Sequence, residues 1–371
     1  MKVLTVVGAR PQFIKAAPVS RVLRERHAEL LVHTGQHHDD AMSGAFFREL
    51  QMAPPDLDLG VAGGGHAAMV GEMLLRLEPV LLEHEPDGVL VYGDTNSTLA
   101  GALAAAKVAF PGGRRPWLAH VEAGLRSFNR AMPEERNRIV ADHLADLLLV
   151  PTQRGLRNLE REGLAERAEL VGDVMVDAFA WARERVSGTP SLAGAAAGSY
   201  VLLTMHRAEN VDDPARLGAW LEAMEDPTPV IFPVHPRTRA SLGRSAGRLP
   251  ANVVAVPPVG YLGMVALEIR ALAIATDSGG VQKEAYLAGV PCITLRPETE
   301  WVETVDAGWN RVVDADPGGV RAALADEAFM DRGRRRPPLY GDGHAAEEIV
   351  ATLEAHATHG SRRDAAQAVR S

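Results

Sequence analysis

The chain alternates between short runs that are apolar at nearly every position and longer stretches with helical spacing. In the first half the apolar runs are "KVLTVVG", "ELLVHTG", "DGVLVYGD", "WLAHVEAG" and "DLLLVPT". Each ends in a glycine or a polar turn and leads into a helical pattern. Strands apolar on both faces are covered on both sides, and their alternation with helices predicts a parallel sheet. A second series follows: "SYVLLTMH", "PVIFPVH", "NVVAVPPVG", "LAIATDSGG" and "PCITLRP". The predicted class is α/β, with two Rossmann-like doubly wound domains facing each other across a cleft. Between the two series lies "VGDVMVDAFAWARERVSGTPSLAGAAAGS", whose Gly, Ser, Thr and Pro content marks a boundary. We set the domains at 1–175 and 176–343. A closing helix is expected over 344–357, and "ATHGSRRDAAQAVRS" reads as a weakly ordered tail. No solenoid period is present, only the two similar halves.

Composition narrows the function more than the fold. A length of 371 residues agrees with two cores. The 46% hydrophobic and 23% charged fractions describe an ordinary soluble protein. A net charge of −9 argues against a nucleic-acid partner, while still allowing one positive pocket for a small anion. The only cysteine, Cys292, excludes an intrachain disulfide and a cysteine-rich metal site. No apolar stretch reaches the ~18 residues of a membrane span, and "MKVLTVVGARP" lacks a cleavage site of small residues. A cytoplasmic protein with no membrane association is expected.

In doubly wound sheets ligands bind beyond the carboxyl ends of the strands, so the polar residues there carry the candidate chemistry. "VGARPQFIKAAPV" places Arg10 and Lys15 at the start of a helix, where an anion gains from free N–H groups. As surface charges they would do nothing. "VYGDTNSTLAGALAAAK" puts Asp94 after a buried strand; Asp94, Thr95 or Asn96 could cap the following helix, which leaves the others to face the cleft. "HVEAGLRSFNRAMPEERNR" delivers Glu122 to another strand end, and Pro133 with Glu134 starts a helix. One of Glu134 and Glu135 can be a plain helix-start residue. Asp94, Glu122 and Glu134 together suggest clustered carboxylates whose pKa values are held apart.

In the second half, "LLTMHRAENVDD" and "FPVHPRT" set His206 and His235 after successive strands, each near an arginine, as anion recognition or proton chemistry would require. "ATDSGGVQKEAYLAGVP" opens a helix with Ser278-Gly279-Gly280, where bare backbone can approach a phosphate. Glu284 lies one turn further, at a reach suited to a ribose diol. "GQHHDDAM" cannot converge on one ion from a single short turn, so no metal is expected.

Taken together, "GARPQFIK", "VYGDTNSTLAGALAAAK", "HVEAGLRS", "PEERNR", "TMHRAEN", "DSGGVQKEA" and "LRPETEW" resemble the non-hydrolysing UDP-N-acetylglucosamine 2-epimerases, in the family's order from the first strand to about residue 345. The resemblance implies a glycosyltransferase-B-like fold, a UDP-sugar substrate, no cofactor and a homodimer. It also implies that the last helix, within 344–371, packs back on the first domain. It makes Asp94, Glu122 and Glu134 the catalytic carboxylates and sets His206 close to the diphosphate. Arg10, Lys15 and Arg138 fall at substrate-site positions. Ser278, Gly279 and Gly280 would hold phosphate oxygens, and Glu284 the ribose. Members often bind a second, activating UDP-GlcNAc near the region of "GQHHDDAM". Two departures stand out. Gln12 replaces an acid that many members carry, and the loop between Glu122 and Glu134 is short. Both resemble the branch that includes 2-epimerases of UDP-2,3-diacetamido-glucuronic acid, so the sugar is left open.

A C2 hydrogen of an aminosugar is not next to a carbonyl, so UDP must leave as that hydrogen is removed, giving a C1–C2 alkene (a 2-acetamidoglucal). UDP then returns after a proton reaches C2 from the other face, converting UDP-GlcNAc into UDP-ManNAc. Two differently placed acid/base groups are needed, and cations with helix N-termini suit the departing diphosphate. A glycosyltransferase of the same fold, a hydrolysing epimerase and a nucleotide-sugar sensor are the alternatives.

Overall fold

The computed structural model describes residues 1–36, 40–187, 196–244, 249–314 and 316–368. Two compact units emerge: unit 1 is Met1–Ala178 with Tyr340–Ser371, and unit 2 is Phe179–Leu339.

Unit 1 runs β1 (Lys2–Val7), α1 (Arg10–Arg26), β2 (Ala28–His33), α2 (Asp40–Glu49), β3 (Leu57–Asp58), α3 (His66–His84) and β4 (Gly88–Tyr92). It continues with α4 (Asn96–Lys107), β5 (Trp117–Val121), α5 (Pro133–Leu144), β6 (Leu147–Val150), α6 (Gln153–Arg161), β7 (Ala168–Leu170) and α7 (Val174–Val186), the helix in which the chain passes to unit 2. The strands form one parallel sheet in the order β3-β2-β1-β4-β5-β6-β7. All of β4 is buried, as a strand covered by helices on both faces must be. The order reverses between β1 and β4, so the chain leaves their carboxyl ends in opposite directions and opens a crevice there.

Unit 2 repeats the scheme with β8 (Val201–Thr204), α8 (Ala208–Val211), α9 (Pro214–Ala223), β9 (Val230–Pro233), α10 (Pro236–Arg244), β10 (Val253–Val256) and α11 (Tyr261–Glu268). Next come β11 (Ala273–Thr276), α12 (Gly279–Ala288), β12 (Cys292–Thr294), α13 (Val302–Asp306), β13 (Asn310–Val312), α14 (Pro317–Leu324) and α15 (Glu327–Met330). Its parallel sheet has the order β10-β9-β8-β11-β12-β13, with the reversal between β8 and β11. Apolar clusters line both faces, one around Leu203, Trp220 and Phe232 and one around Leu202, Ile274 and Cys292. Cys292 is a core residue, as its apolar run predicts.

The ten strands read from the sequence are all present; β3, β7 and β13, of two or three residues, are too short to show a pattern. The final helix α16 (Ala345–Ala368) belongs to unit 1 and outruns its predicted end near 357. The expected loose tail is helical through Ala368, and Ala365, Ala366 and Ala368 are strong helix formers. No helix among the described residues is long and apolar enough to cross a membrane.

Candidate functional site

In unit 1 the predicted groups stand just past β1, β4 and β5, the three central strands. Glu122 is the first residue beyond β5 and adopts a left-handed φ of 71°. Its amide and that of Ala123 both donate to Leu149 O, at 3.1 and 3.2 Å, which turns the chain sharply and brings the carboxylate out of the sheet. Lys15, one turn into α1, forms an ion pair with that carboxylate. Both are largely buried, so the charge of each partner is screened little by solvent. Beside them Gly93 has φ 61°, and a Cβ there would lie 3.1 Å from Glu122 Oε2 and 3.3 Å from Lys15 Nζ. Only a residue without a side chain leaves the pair its space.

Asp94 follows Gly93 and pairs with Arg138 of α5. Arg138 Nη1 also donates to Glu135 at 3.1 Å. Burial works against the Arg138 charge, but Asp94 and then Glu135 outweigh it and raise its pKa. The capping question resolves to Thr95, whose hydroxyl accepts from Thr98 N at 3.3 Å. Asp94 is thereby released from the helix start, and Asn137 Nδ2 steadies its carbonyl at 2.9 Å.

The two acids of "PEE" separate. Glu135 is buried and accepts from Ser127 N at 2.9 Å, Ser127 Oγ at 3.0 Å and Phe128 N at 2.9 Å, so it fastens the loop before α5. Glu134 is half-buried in the first turn, four positions before Arg138 and so on the same helix face. Arg10 lies with its guanidinium 4.3 Å from the Phe46 ring centroid; burial lowers its pKa, with Glu49 opposing. Gln12 accepts from Gly8 N at 2.8 Å and Ala9 N at 3.1 Å. Its amide nitrogen donates to Tyr92 O at 3.0 Å and Thr98 Oγ1 at 3.1 Å. A carboxylate could accept but not donate there. The structure thus brings Lys15, Glu122, Asp94 and Arg138 together, with Arg10 and Glu134 on the neighbouring helix starts.

In unit 2, His206 follows β8. Its amide donates to Asp277 at 3.1 Å and its Nδ1 lies 3.2 Å from the same carboxylate. Arg207 N and Asn210 Nδ2 also donate to Asp277, at 3.0 and 3.1 Å. Burial would raise the Asp277 pKa, but these donors, His206 first, hold it below its usual value. The His206 ring is tilted against that of His235 with centroids 5.7 Å apart. Ser278 is the N-cap residue of α12, and Gly279 and Gly280 form its first turn. A Cβ on Gly279 would lie 2.2 Å from Glu300 Oε1, so any side chain there would displace that carboxylate. Glu284 is buried next to Glu268; burial pushes it up to about 7, with Lys283 pulling the other way. Burial and the Glu284 charge put Glu268 well above the carboxylate range.

Sequence reasoning missed Asp277, Glu268, Asn137 and Asn210. Only Asp277 carried a usable signal: it ends a strand directly before Ser278, as Asp94 ends one before Thr95. In "GQHHDDAM", His37, His38 and Asp39 lie outside the described residues; Gln36 accepts from Ser97 Oγ at 2.9 Å.

Residues 21–354 match the family model described as UDP-N-acetylglucosamine 2-epimerase. A UDP-2,3-diacetamido-2,3-dideoxy-D-glucuronate 2-epimerase of Pseudomonas aeruginosa is 46% identical over 95% of this chain and 99% of its own. A crystal structure of the Methanocaldococcus jannaschii UDP-GlcNAc 2-epimerase in complex with UDP-GlcNAc and UDP is 38% identical. It has a TM-score of 0.85 and covers 95% of this chain and 99% of that one. The Neisseria meningitidis UDP-GlcNAc 2-epimerase bound to UDP-GlcNAc is 30% identical, with a TM-score of 0.85 over 95% and 99% of the two chains. The α/β, glycosyltransferase-B-like class expected from the sequence is the class of these structures.

Proposed function

The chain belongs to the UDP-N-acetylglucosamine 2-epimerase family, and we propose that it interconverts UDP-GlcNAc and UDP-ManNAc by eliminating UDP and adding it back. The observation that carries this reading is the pairing of Glu122 with Lys15 and Asp94 with Arg138 at two adjacent strand ends. Two carboxylates, each beside its own cation, can serve acid–base steps on a sugar.

In the proposed reaction a carboxylate of the set Asp94, Glu122 and Glu134 takes the C2 proton. The C–H electrons form the C1–C2 double bond, and the C1–oxygen bond breaks with its pair leaving on UDP. A second group of the set delivers a proton to the opposite face of C2, and UDP adds back at C1. Arg10, His206 and the Gly279 and Gly280 amides suit the charge that builds on the diphosphate, while Ser278 N already donates to Thr276 Oγ1 at 2.9 Å. His235, tilted against His206, supports that ring, and Glu284 suits a ribose diol. A homodimer completes the proposal, supported by Leu75 and Leu82, which stand exposed seven residues apart on one face of α3; size-exclusion chromatography with light scattering tests it.

The activity is tested by incubating the protein with UDP-GlcNAc alone in deuterated water. UDP-ManNAc labelled at C2 is the expected product. Unlabelled product excludes elimination, and free ManNAc with UDP indicates hydrolysis. Asp94→Asn, Glu122→Gln and Glu134→Gln should each lower turnover by roughly 100-fold or more with UDP affinity retained. Wild-type turnover in all three removes the mechanism. A second reading, with UDP-2,3-diacetamido-glucuronate as the sugar nucleotide, is favoured by the 46% identical Pseudomonas aeruginosa relative. Parallel assays on the two sugar nucleotides separate them by kcat/KM.

A further inference from the structure

Behind the two ion pairs lies a second charge cluster, fully buried at its centre, that the reaction scheme leaves unused. His120, the next-to-last residue of β5, is 0% exposed, as is Asp142 of α5. The His120 Nδ1 is 2.7 Å from Asp142 Oδ1, and its Nε2 is 2.7 Å from the carbonyl oxygen of Gly93. Gly93 O is an acceptor only, and the Asp142 carboxylate already accepts at Oδ2 from Gly124 N at 3.1 Å and Arg126 Nη1 at 2.7 Å. Both ring nitrogens therefore face acceptors, which a neutral imidazole, with one N–H, cannot satisfy. Burial works against a charged Asp142, but His120 and then Arg126 hold its pKa below the usual value.

The charges that face this ring are few. Arg126 Nε and Nη2 bind the two oxygens of Glu162 at 2.7 Å each, and His143 lies 3.3 Å from Glu162. Counting Arg126 against Asp142 and Glu162, the cluster has one negative charge in excess unless His120 is a cation. Its attachments are to the backbone around the proposed acids. Gly93 immediately precedes Asp94. Gly124 lies two residues after Glu122, and its own carbonyl accepts from Asn158 at 2.9 Å.

Resting on the epimerase reading, we propose that His120 is a positioning residue held as an imidazolium between Asp142 and the Gly93 carbonyl, and that this clamp sets the spacing of Asp94 and Glu122. It touches neither substrate nor the reacting atoms. The two strand ends are already joined through Gly93 N, which donates to Val121 O at 3.0 Å; the clamp adds a side-chain tie on the other side of the Gly93 peptide, and a carboxylate displaced by a fraction of an ångström transfers a proton poorly.

The test combines spectroscopy with kinetics. Protein labelled with 15N in its histidine rings should show, at neutral pH, one histidine with both ring nitrogens carrying protons and absent from the spectrum of His120→Asn. A wild-type His120 with one unprotonated nitrogen overturns the proposal, and this measurement needs no variant to be active. In the assay, Gln can place an amide near Nε2 and keep the Gly93 bond, whereas Asn reaches Asp142 but not Gly93. Both should lower kcat, Asn by roughly 10- to 100-fold and Gln by less, with KM for UDP-GlcNAc and affinity for UDP within about two-fold. Wild-type kcat in folded His120→Asn overturns it as well. Failure of the epimerase reading is distinguishable: it shows as full turnover of Asp94→Asn and Glu122→Gln or as unlabelled product, neither of which depends on the protonation of His120.

Discussion

At the scale of single residues, position was legible and partnership was not. Asp94 and Glu122 could be singled out because each ends an apolar run, and strand ends in a doubly wound sheet are where ligands reach. Their cations could not be assigned, since Lys15 is 107 positions from Glu122 and Arg138 is 44 from Asp94. Glu284 shows the same limit. The sequence places it one turn into α12, but its environment is set by Glu268 at the end of α11. Burial raises Glu284 from 4.5 to about 7. An acid raised in the folded state keeps its proton where the unfolded chain has already lost it. Its contribution to stability is thus fully present below about pH 4.5 and is lost as pH rises through about 7. Glu268, held neutral by its burial and by the Glu284 charge, donates to Glu284 and opposes that rise, so the titrating group to remove is Glu284 itself. Glu284→Gln should therefore lose less stability than wild type between pH 5 and 8. Parallel melting curves at the two pH values, unchanged by the substitution, would contradict this.

At the scale of elements, helices and strands followed from the apolar pattern, while the loops that carry the chemistry depended on buried side chains. The loop from Leu125 to Met132 has no periodicity to read, and "PEE" offers two equivalent acids. Packing decides between them. Glu135 takes two backbone amides and a hydroxyl of that loop, so its loss leaves buried donors without an acceptor. Glu135→Gln presents an NH₂ to one of those N–H groups and should destabilise by about 1–3 kcal/mol, with faster hydrogen exchange at Ser127 and Phe128. Glu134→Gln should leave both unchanged while turnover falls. A denaturant titration reads the first difference and the epimerase assay the second; equal loss of stability in both variants would return the two acids to the same role. Thr95 illustrates the easier case. Three residues competed for the cap of α4, and local hydrogen bonding to Thr98 selects one of them.

At the scale of the whole chain, unit 1 is discontinuous: the polypeptide leaves it in α7 and re-enters at Tyr340 to finish as α16. Ile349, Val350 and Leu353 of α16 are 0% exposed. The start of the helix is fixed by Asp177, whose carboxylate accepts from Ala346 N at 2.9 Å and Ala345 N at 3.3 Å. Near its middle, Glu354 accepts from His27 of unit 1 at 2.8 Å. Burying three aliphatic side chains contributes on the order of 1.5–3 kcal/mol each, which is a large part of the ~5–15 kcal/mol that holds a domain folded. Unit 2 has two apolar clusters built from its own residues. A chain ending at Leu339 should therefore lose unit 1 and keep unit 2. The tryptophans give a direct readout, because Trp117 lies in unit 1 with its ring 6.2 Å from that of His356 on α16, whereas Trp181, Trp220, Trp301 and Trp309 lie in unit 2. In the shortened chain the indole N–H resonance of Trp117 should collapse to its unfolded position while those of Trp220, Trp301 and Trp309 stay dispersed. A native Trp117 resonance without α16 would mean that the returning helix covers unit 1 without holding it folded.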